Sequence, residues 1–116
     1  MAKSNKNDIE NLWLKKNELK PSDNFLKKTV SSVLESLDKG EIRVCQKHKG
    51  EWETNEWIKK AILLSFRVNN NSMFSSGMSN LRGGQYSWFD KVDLKTSGWN
   101  EDEWTKRNFR SVPGSI

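Results

Sequence analysis

Residues 56–67 read EWIKKAILLSFR, and this stretch decides the fold because it contains the longest apolar run of the chain. Its apolar residues cover more than one side of a helix, which predicts the central helix of the core. They are Trp57, Ile58, Ala61, Ile62, Leu64 and Phe66. Asn55 precedes the stretch as the predicted N-cap. Truncating Ile62 or Leu64 to Ala is expected to cost ~2–5 kcal/mol, because each change leaves a cavity.

A longer amphipathic helix is predicted on the N-terminal side, directly behind Pro21, where Ser22 or Asp23 can cap its start. Gly40 ends it, since glycine readily adopts the left-handed conformation found there. The apolar face is made of Leu26, Val30, Val33, Leu34 and Leu37. A shorter helix comes first, and the polar residues 1–7 before it are predicted to be disordered. Its apolar residues at helical spacing are Ile9, Leu12 and Trp13.

Two β-hairpins are predicted, one on each side of the central helix. Alternating apolar and polar residues from Ile42 onward indicate a strand, followed by a polar turn at residues 48–50 and a partner around Trp52. Residues 69–87 are rich in Asn, Ser and Gly, which is typical of a long, loosely paired hairpin. Residues 88–92 are its predicted return strand.

A fourth helix is predicted to begin after Asn100, whose side chain can accept hydrogen bonds from the first turn. Glu103 holds the capping-box position, and Trp99 and Trp104 hold the two positions of a hydrophobic staple. The sequence therefore predicts a mainly helical α+β fold with about four helices and two small β-hairpins.

The composition limits the core and the partners. Hydrophobic residues make up only 34% of the 116 residues, so the six Trp and five Phe side chains are expected inside the core. The net charge of +5 would suit an anionic partner, but acidic and basic residues are interleaved, so we predict a solvated surface and no nucleic-acid binding. The cations weighed as a nucleic-acid platform are Lys15, Lys16, Lys59, Lys60 and Arg67.

No catalytic residue and no metal site is predicted in the chain. Cys45 and His48, the candidate nucleophile and base, are three residues apart on a strand and its turn, so their side chains should point apart. One Cys and one His also make an uncommon zinc ligand set. Gly83 and Gly84 lack the spacing and lysine of a phosphate loop and are predicted to form a turn. The polar N-terminus and the short apolar runs predict a cytoplasmic chain with no membrane span.

Four segments resemble the N-terminal domain of tetrahydrodipicolinate N-succinyltransferases, in the same order and at nearly the same spacing. They are residues 34–44 (LESLDKGEIRV), 56–69 (EWIKKAILLSFRVN), 88–92 (WFDKV) and 109–114 (FRSVPG). The resemblance implies an N-terminal helical domain at residues 8–108. It also implies that residues 109–116 start the connection to the family's left-handed parallel β-helix, which is expected to be absent from this chain.

The resemblance also implies an activity. Enzymes of this family transfer a succinyl group from succinyl-CoA to the amino group of opened tetrahydrodipicolinate, in diaminopimelate and lysine synthesis. They work as homotrimers, with CoA binding and catalysis in the β-helix, so this chain alone is expected to bind no cofactor and to be inactive. Arg110 matches the family arginine that binds the dicarboxylate substrate, a role that suits the rigid two-pronged guanidinium. The alternative hypothesis is a free-standing basic helical module that binds RNA or a protein partner.

Overall fold

A computed structural model of the chain describes residues 2–75 and 87–112. These residues form four α-helices and two antiparallel β-hairpins, which confirms the predicted mainly helical α+β fold. The helices are α1 (Ala2–Leu14), α2 (Asn24–Asp38), α3 (Glu56–Ser65) and α4 (Glu101–Lys106). The strands are β1 (Cys45–His48), β2 (Glu51–Thr54), β3 (Ser72–Ser75) and β4 (Ser87–Asp90). The turn predicted at Gly83 and Gly84 lies outside the described residues.

The core is a bundle of α1, α2 and α3, in which each helix packs against the other two. Its buried apolar residues are Ile9, Leu12, Leu26, Val30, Val33, Trp57, Ile58, Ala61 and Leu64. All but Trp57 are aliphatic, so the prediction that aromatic rings fill the core is wrong. Three closely packed helices leave narrow seams between them, and branched aliphatic side chains fill such seams well.

Helix α3 is the central helix that the sequence predicts, although its apolar face is narrower. Leu64 is fully buried, whereas Ile62 is only half-buried. Phe66 is 46% exposed, so its predicted place in the core is wrong. The helix ends at Ser65, and Phe66 is its C-cap residue.

Helix α1 begins at Ala2 and thus includes residues 2–7, for which the sequence predicts disorder. The amide of Asn5 donates a hydrogen bond to the hydroxyl of Ser32 in α2, at 3.2 Å. Further along, the carboxylate of Glu10 pairs with Lys60 of α3 at 2.7 Å. A helix of this length is marginal in isolation. Contacts with α2 and α3 therefore stabilise α1. These contacts cannot be predicted from the polar residues at its start.

Helix α2 is bounded by the devices that its sequence predicts. Of the two candidate caps Asp23 is used, since its carboxylate accepts a hydrogen bond from the N–H of Leu26 at 3.0 Å. At the other end Gly40 has a φ of +76°, and the N–H of Glu41 donates to the carbonyl of Ser36 at 3.0 Å. This arrangement is a Schellman motif, which satisfies the last carbonyls of the helix.

The first hairpin, β1 and β2, joins the bundle only at its base. Its two-residue turn, Lys49 and Gly50, has positive φ at both positions, as tight antiparallel hairpins favour. The strand begins later than predicted, because Ile42 and Val44 pack against the helical core instead. Every residue of the two strands is exposed.

Asn55 is the N-cap residue of α3, as predicted, but its side chain makes no capping hydrogen bond. Its amide donates instead to the carbonyl of Arg43 at 2.8 Å, and its backbone N–H donates to the carbonyl of Val44 at 2.7 Å. Asn55 therefore closes the base of the first hairpin and fixes where that hairpin leaves the bundle.

The second hairpin and α4 lie outside the bundle. Strands β3 and β4 pair in the predicted antiparallel sense, with Met73 opposite Phe89. Neither this hairpin nor α4 packs against another described helix or strand. The radius of gyration, 17.7 Å, accordingly exceeds the ~13 Å of a compact 100-residue domain. Within the described ranges, no helix is long and apolar enough to cross a membrane.

Candidate functional site

The candidate site lies at the C-terminal end of α4, and the start of this helix has the predicted cap and staple. The carboxylate of Glu103, by contrast, accepts from Arg107 and makes no hydrogen bond to the N–H of Asn100 within the described residues. The carboxamide oxygen of Asn100 accepts a hydrogen bond from the N–H of Glu103 at 3.0 Å. The rings of Trp99 and Trp104 meet edge to face, with centroids 5.0 Å apart. The cap and the staple therefore both form, and they set the direction in which the helix enters.

The end of α4 folds back on the same aromatic pair. Asn108 has a φ of +48°, a left-handed conformation that turns the chain after the C-cap residue. The ring of Phe109 consequently stacks on Trp104, with centroids 5.6 Å apart and planes 19° apart. It also meets the edge of Trp99 at 6.5 Å. These three rings, Trp99, Trp104 and Phe109, are called the aromatic anchor below.

Arg107 closes the aromatic anchor on one side. Its guanidinium carbon lies 4.6 Å from the ring centroid of Trp99, a cation–π distance. The same side chain donates from Nε to the carboxylate of Glu103 at 3.2 Å, one helical turn earlier. Arg107 is therefore engaged within α4, and its charge is partly neutralised there.

Arg110 follows directly after the aromatic anchor, and its side chain is exposed. It has no hydrogen bond or ion pair to any residue in the ranges 2–75 and 87–112. The neighbouring backbone is held through the stacked ring of Phe109. The guanidinium of Arg110 is therefore not engaged by the described residues, and it can donate two parallel hydrogen bonds to a carboxylate.

One ion pair ties this region to the bundle. Lys95, in the segment before α4, donates a hydrogen bond to the carboxylate of Asp38 at the end of α2. That hydrogen bond and the charge of Lys95, helped by the charge of Arg107, lower the pKa of Asp38 below its ordinary value of 3.8. The contact is exposed, so water and salt screen it, and it adds little stability.

The residues weighed for covalent or metal chemistry are not brought together. Cys45 lies opposite Thr54 and His48 lies opposite Glu51, so they occupy opposite ends of β1. The thiol of Cys45 contacts the hydroxyl of Thr54 at 3.5 Å. No group of three or more His, Cys, Asp or Glu side chains is arranged to hold a metal ion in the part of the chain that the structure describes.

Two of the cations weighed as a nucleic-acid platform are used inside the domain. Lys60 pairs with Glu10, and Lys16 lies 4.2 Å from the ring centroid of Trp13. The tryptophans themselves are less buried than the composition suggests, since Trp57 alone among the six is buried. The prediction that the core needs all six rings is therefore wrong, and no side-chain hydrogen bond or ion pair engages Lys15, Lys59 or Arg67 within the described residues.

The contacts that hold the chain next to Arg110 are not predicted from the sequence. The partner of Trp104 at the end of the helix, Phe109, is not predicted by any local rule. A weak signal exists in Asn108, because Asn just after a basic last turn is a favoured left-handed helix stop. The ion pair of Lys95 with Asp38 joins residues 57 positions apart, and no local pattern indicates it.

The sequence of the chain is similar to those of known proteins. Residues 4–68 match the family model described as tetrahydrodipicolinate N-succinyltransferase N-terminal. The 2,3,4,5-tetrahydropyridine-2,6-dicarboxylate N-succinyltransferase of Dechloromonas aromatica is 43% identical over 93% of this chain and 38% of its own length. The protein of the same name from Caulobacter vibrioides is 48% identical over 75% of this chain and 31% of its own length. The protein of the same name from Ehrlichia ruminantium is 38% identical over 93% of this chain and 38% of its own length. The chain thus spans about a third of the length of these relatives.

Proposed function

The chain belongs to the tetrahydrodipicolinate N-succinyltransferase family, and from that premise we propose that it serves as the N-terminal domain of a succinyl-transferring enzyme. The reaction moves a succinyl group from succinyl-CoA to the amino group of opened tetrahydrodipicolinate, in diaminopimelate and lysine biosynthesis. The observation that carries the proposal is 43% identity over 93% of the chain. Because the chain spans 38% of that relative, the CoA site and the catalytic groups are assigned to the remaining part of a full-length enzyme.

Within this enzyme, Arg110 binds one carboxylate of the dicarboxylate substrate. Its guanidinium is exposed and is not engaged by the residues that the structure describes, and the aromatic anchor holds the adjoining backbone. A charge-assisted hydrogen bond of this kind contributes ~1.5–3 kcal/mol. Fixing the carboxylate would orient the substrate amine toward the thioester of succinyl-CoA, which is a positioning effect on the reaction.

A hybrid enzyme tests the proposed function directly. Residues 1–112 of this chain replace the matched segment of the Dechloromonas aromatica relative, and succinyl transfer to 2-aminopimelate is followed as released CoA thiol. We expect the folded hybrid to turn over and the isolated 116-residue chain to remain at background. A hybrid that folds and binds succinyl-CoA yet shows no transfer would argue against the assignment, and turnover by the isolated chain would contradict its predicted inactivity.

The same hybrid tests the role of Arg110. Arg110→Ala is expected to raise the apparent KM for 2-aminopimelate roughly 10- to 150-fold, the loss of ~1.5–3 kcal/mol, with little change for succinyl-CoA. Arg67→Ala is the matched control, since Arg67 is also exposed and has no ion pair to the described residues. Equal increases for both substrates, or the same effect from Arg67→Ala, would show that Arg110 does not bind the dicarboxylate.

The full-length enzyme is proposed to be a cytoplasmic homotrimer. Both features are proposed from membership of the family. Size-exclusion chromatography with light scattering on the hybrid tests the assembly. A monomeric, active hybrid would refute the trimer.

RNA binding is the second candidate function, and one observation favours it. The indole of Trp52 is 71% exposed, and the ammonium of Lys47 lies 5.5 Å from its centroid, as in a stacking platform beside a cation. Lys16 and Lys60, by contrast, are engaged inside the domain. We therefore expect no shift of single-stranded RNA by the isolated chain at low or moderate salt. A shift that weakens steeply as salt rises would instead support the basic module.

A further inference from the structure

We infer that a cleft beside the base of the second hairpin binds the oxyanion group of a small molecule, a carboxylate or a phosphate. The cleft has a volume of 390 Å³ and is lined by residues from three parts of the chain. Lys27 comes from the first turns of α2, Asn69 and Asn70 follow α3, and Lys91 and Asp93 follow β4. A volume of this size lies within the range of small-molecule sites.

The charge of the lining favours an anion. Lys27 and Lys91 contribute two positive charges and Asp93 contributes one negative charge, which leaves an excess of one positive charge. Neither lysine forms an ion pair with any residue in the described ranges, and Lys91 is half-buried. Lys27 is exposed, so both lysines line the cleft without a partner among the described residues, and each can pair with an external negative charge.

Neutral donors complete the lining. The carboxamides of Asn69 and Asn70 and the hydroxyl of Ser72 make no side-chain hydrogen bond to the part of the chain that the structure describes. They can therefore donate hydrogen bonds to the oxygen atoms of an anion, which the charged ammonium groups of the lysines attract. Carboxylate and phosphate oxygens both accept such bonds. Lysine ammonium groups have no planar fork like that of arginine, so they do not distinguish a carboxylate from a phosphate by its shape.

A ligand here would join two parts of the molecule that otherwise do not pack together. Lys27 belongs to the helical bundle, whereas Lys91 adjoins the second hairpin, and no described strand of that hairpin packs against a helix. A two-stranded hairpin is marginally stable by itself. An anion that bridges the two lysines would therefore order the hairpin against the bundle. Arg110 does not line this cleft, so the inference is independent of the role proposed for that residue.

The test is an NMR titration of the 116-residue chain. Inorganic phosphate and succinate are added in separate arms, with sodium chloride adjusted to keep the ionic strength constant. We expect saturable shifts at the backbone amides of Asn69, Asn70 and Lys91, with a Kd in the millimolar range typical of a small, open polar site. Saturation in one arm identifies the preferred oxyanion. The absence of saturable shifts at these amides in both arms would overturn the inference.

Three variants separate the cleft from general charge effects. Lys27→Gln is expected to weaken binding roughly threefold or more, as the loss of one partly screened charge contact predicts. Lys28→Gln is the matched control, because Lys28 is the next residue on α2, is exposed, and does not line the cleft. Equal weakening by both would show bulk attraction and refute the site. Loss of the response in Arg110→Gln would assign it to Arg110 and also refute the site, while leaving the proposed function intact.

Discussion

Replacing Trp104 with Ala is expected to release the segment that carries Arg110 without unfolding the core. Trp104 makes two ring contacts, with centroids 5.0 Å from Trp99 and 5.6 Å from Phe109. Such pairs contribute ~0.5–1.5 kcal/mol each beyond simple burial, so the change removes ~1–3 kcal/mol from a six-residue helix. At 1.4 kcal/mol for each factor of ten, the equilibrium constant for opening α4 rises roughly 5- to 150-fold.

The assay compares local and global stability in the same samples. We expect the 13Cα secondary shifts of residues 101–106 to move toward random-coil values in Trp104→Ala. The urea midpoint of the whole chain should stay constant, because α4 has no buried residue and packs against no helix of the bundle. Trp104→Phe should keep most of the α4 shifts. Trp52→Ala removes an exposed indole that pairs with no aromatic ring of the described residues, and should not affect α4. Native α4 shifts in Trp104→Ala, or a clear fall in its urea midpoint, would refute the reasoning.

Three further predictions concern the bundle and its attachment to α4. Leu64→Ala should lower the free energy of unfolding by ~2–5 kcal/mol and Leu63→Ala by ~1 kcal/mol or less, because the two side chains are 0% and 44% exposed. Urea unfolding measures both, and equal losses would contradict the core assignment. Gly40→Ala should cost about 1–2 kcal/mol in the same assay, since the φ of +76° strains any residue with a Cβ, and a neutral effect would be inconsistent with that conformation. The contact of Asp38 with Lys95 should be present above pH 3.8 and be lost as the pH falls through the lowered pKa of Asp38. A 13C titration of that carboxyl measures the pKa, and Lys95→Gln should return it toward 3.8; an unchanged pKa in the variant would exclude Lys95 as the cause.

Only part of the candidate site can be predicted from residues close together in the sequence. The cap at Asn100 and the staple of Trp99 and Trp104 are readable in the sequence, because their partners lie within five residues of each other. Arg110 is identified by family resemblance alone, since an exposed arginine carries no distinguishing local pattern. The stacking of Phe109 on Trp104 depends on the left-handed turn at Asn108, and it becomes evident only in the folded chain.

The sequence by itself determined the number and type of the elements, the end of α2 at Gly40 and the central position of α3, because each depends on hydrogen bonds or periodicity within a few residues. The tertiary structure decided which faces meet. It placed aliphatic side chains in the core and left most tryptophans outside it, extended α1 to Ala2, and kept α4 off the bundle. Periodicity shows that a segment has an apolar face but not which distant segment covers it. Burial is decided by contacts between residues far apart in the chain, such as Asn5 with Ser32 and Glu10 with Lys60, and those contacts exist only once the helices have packed.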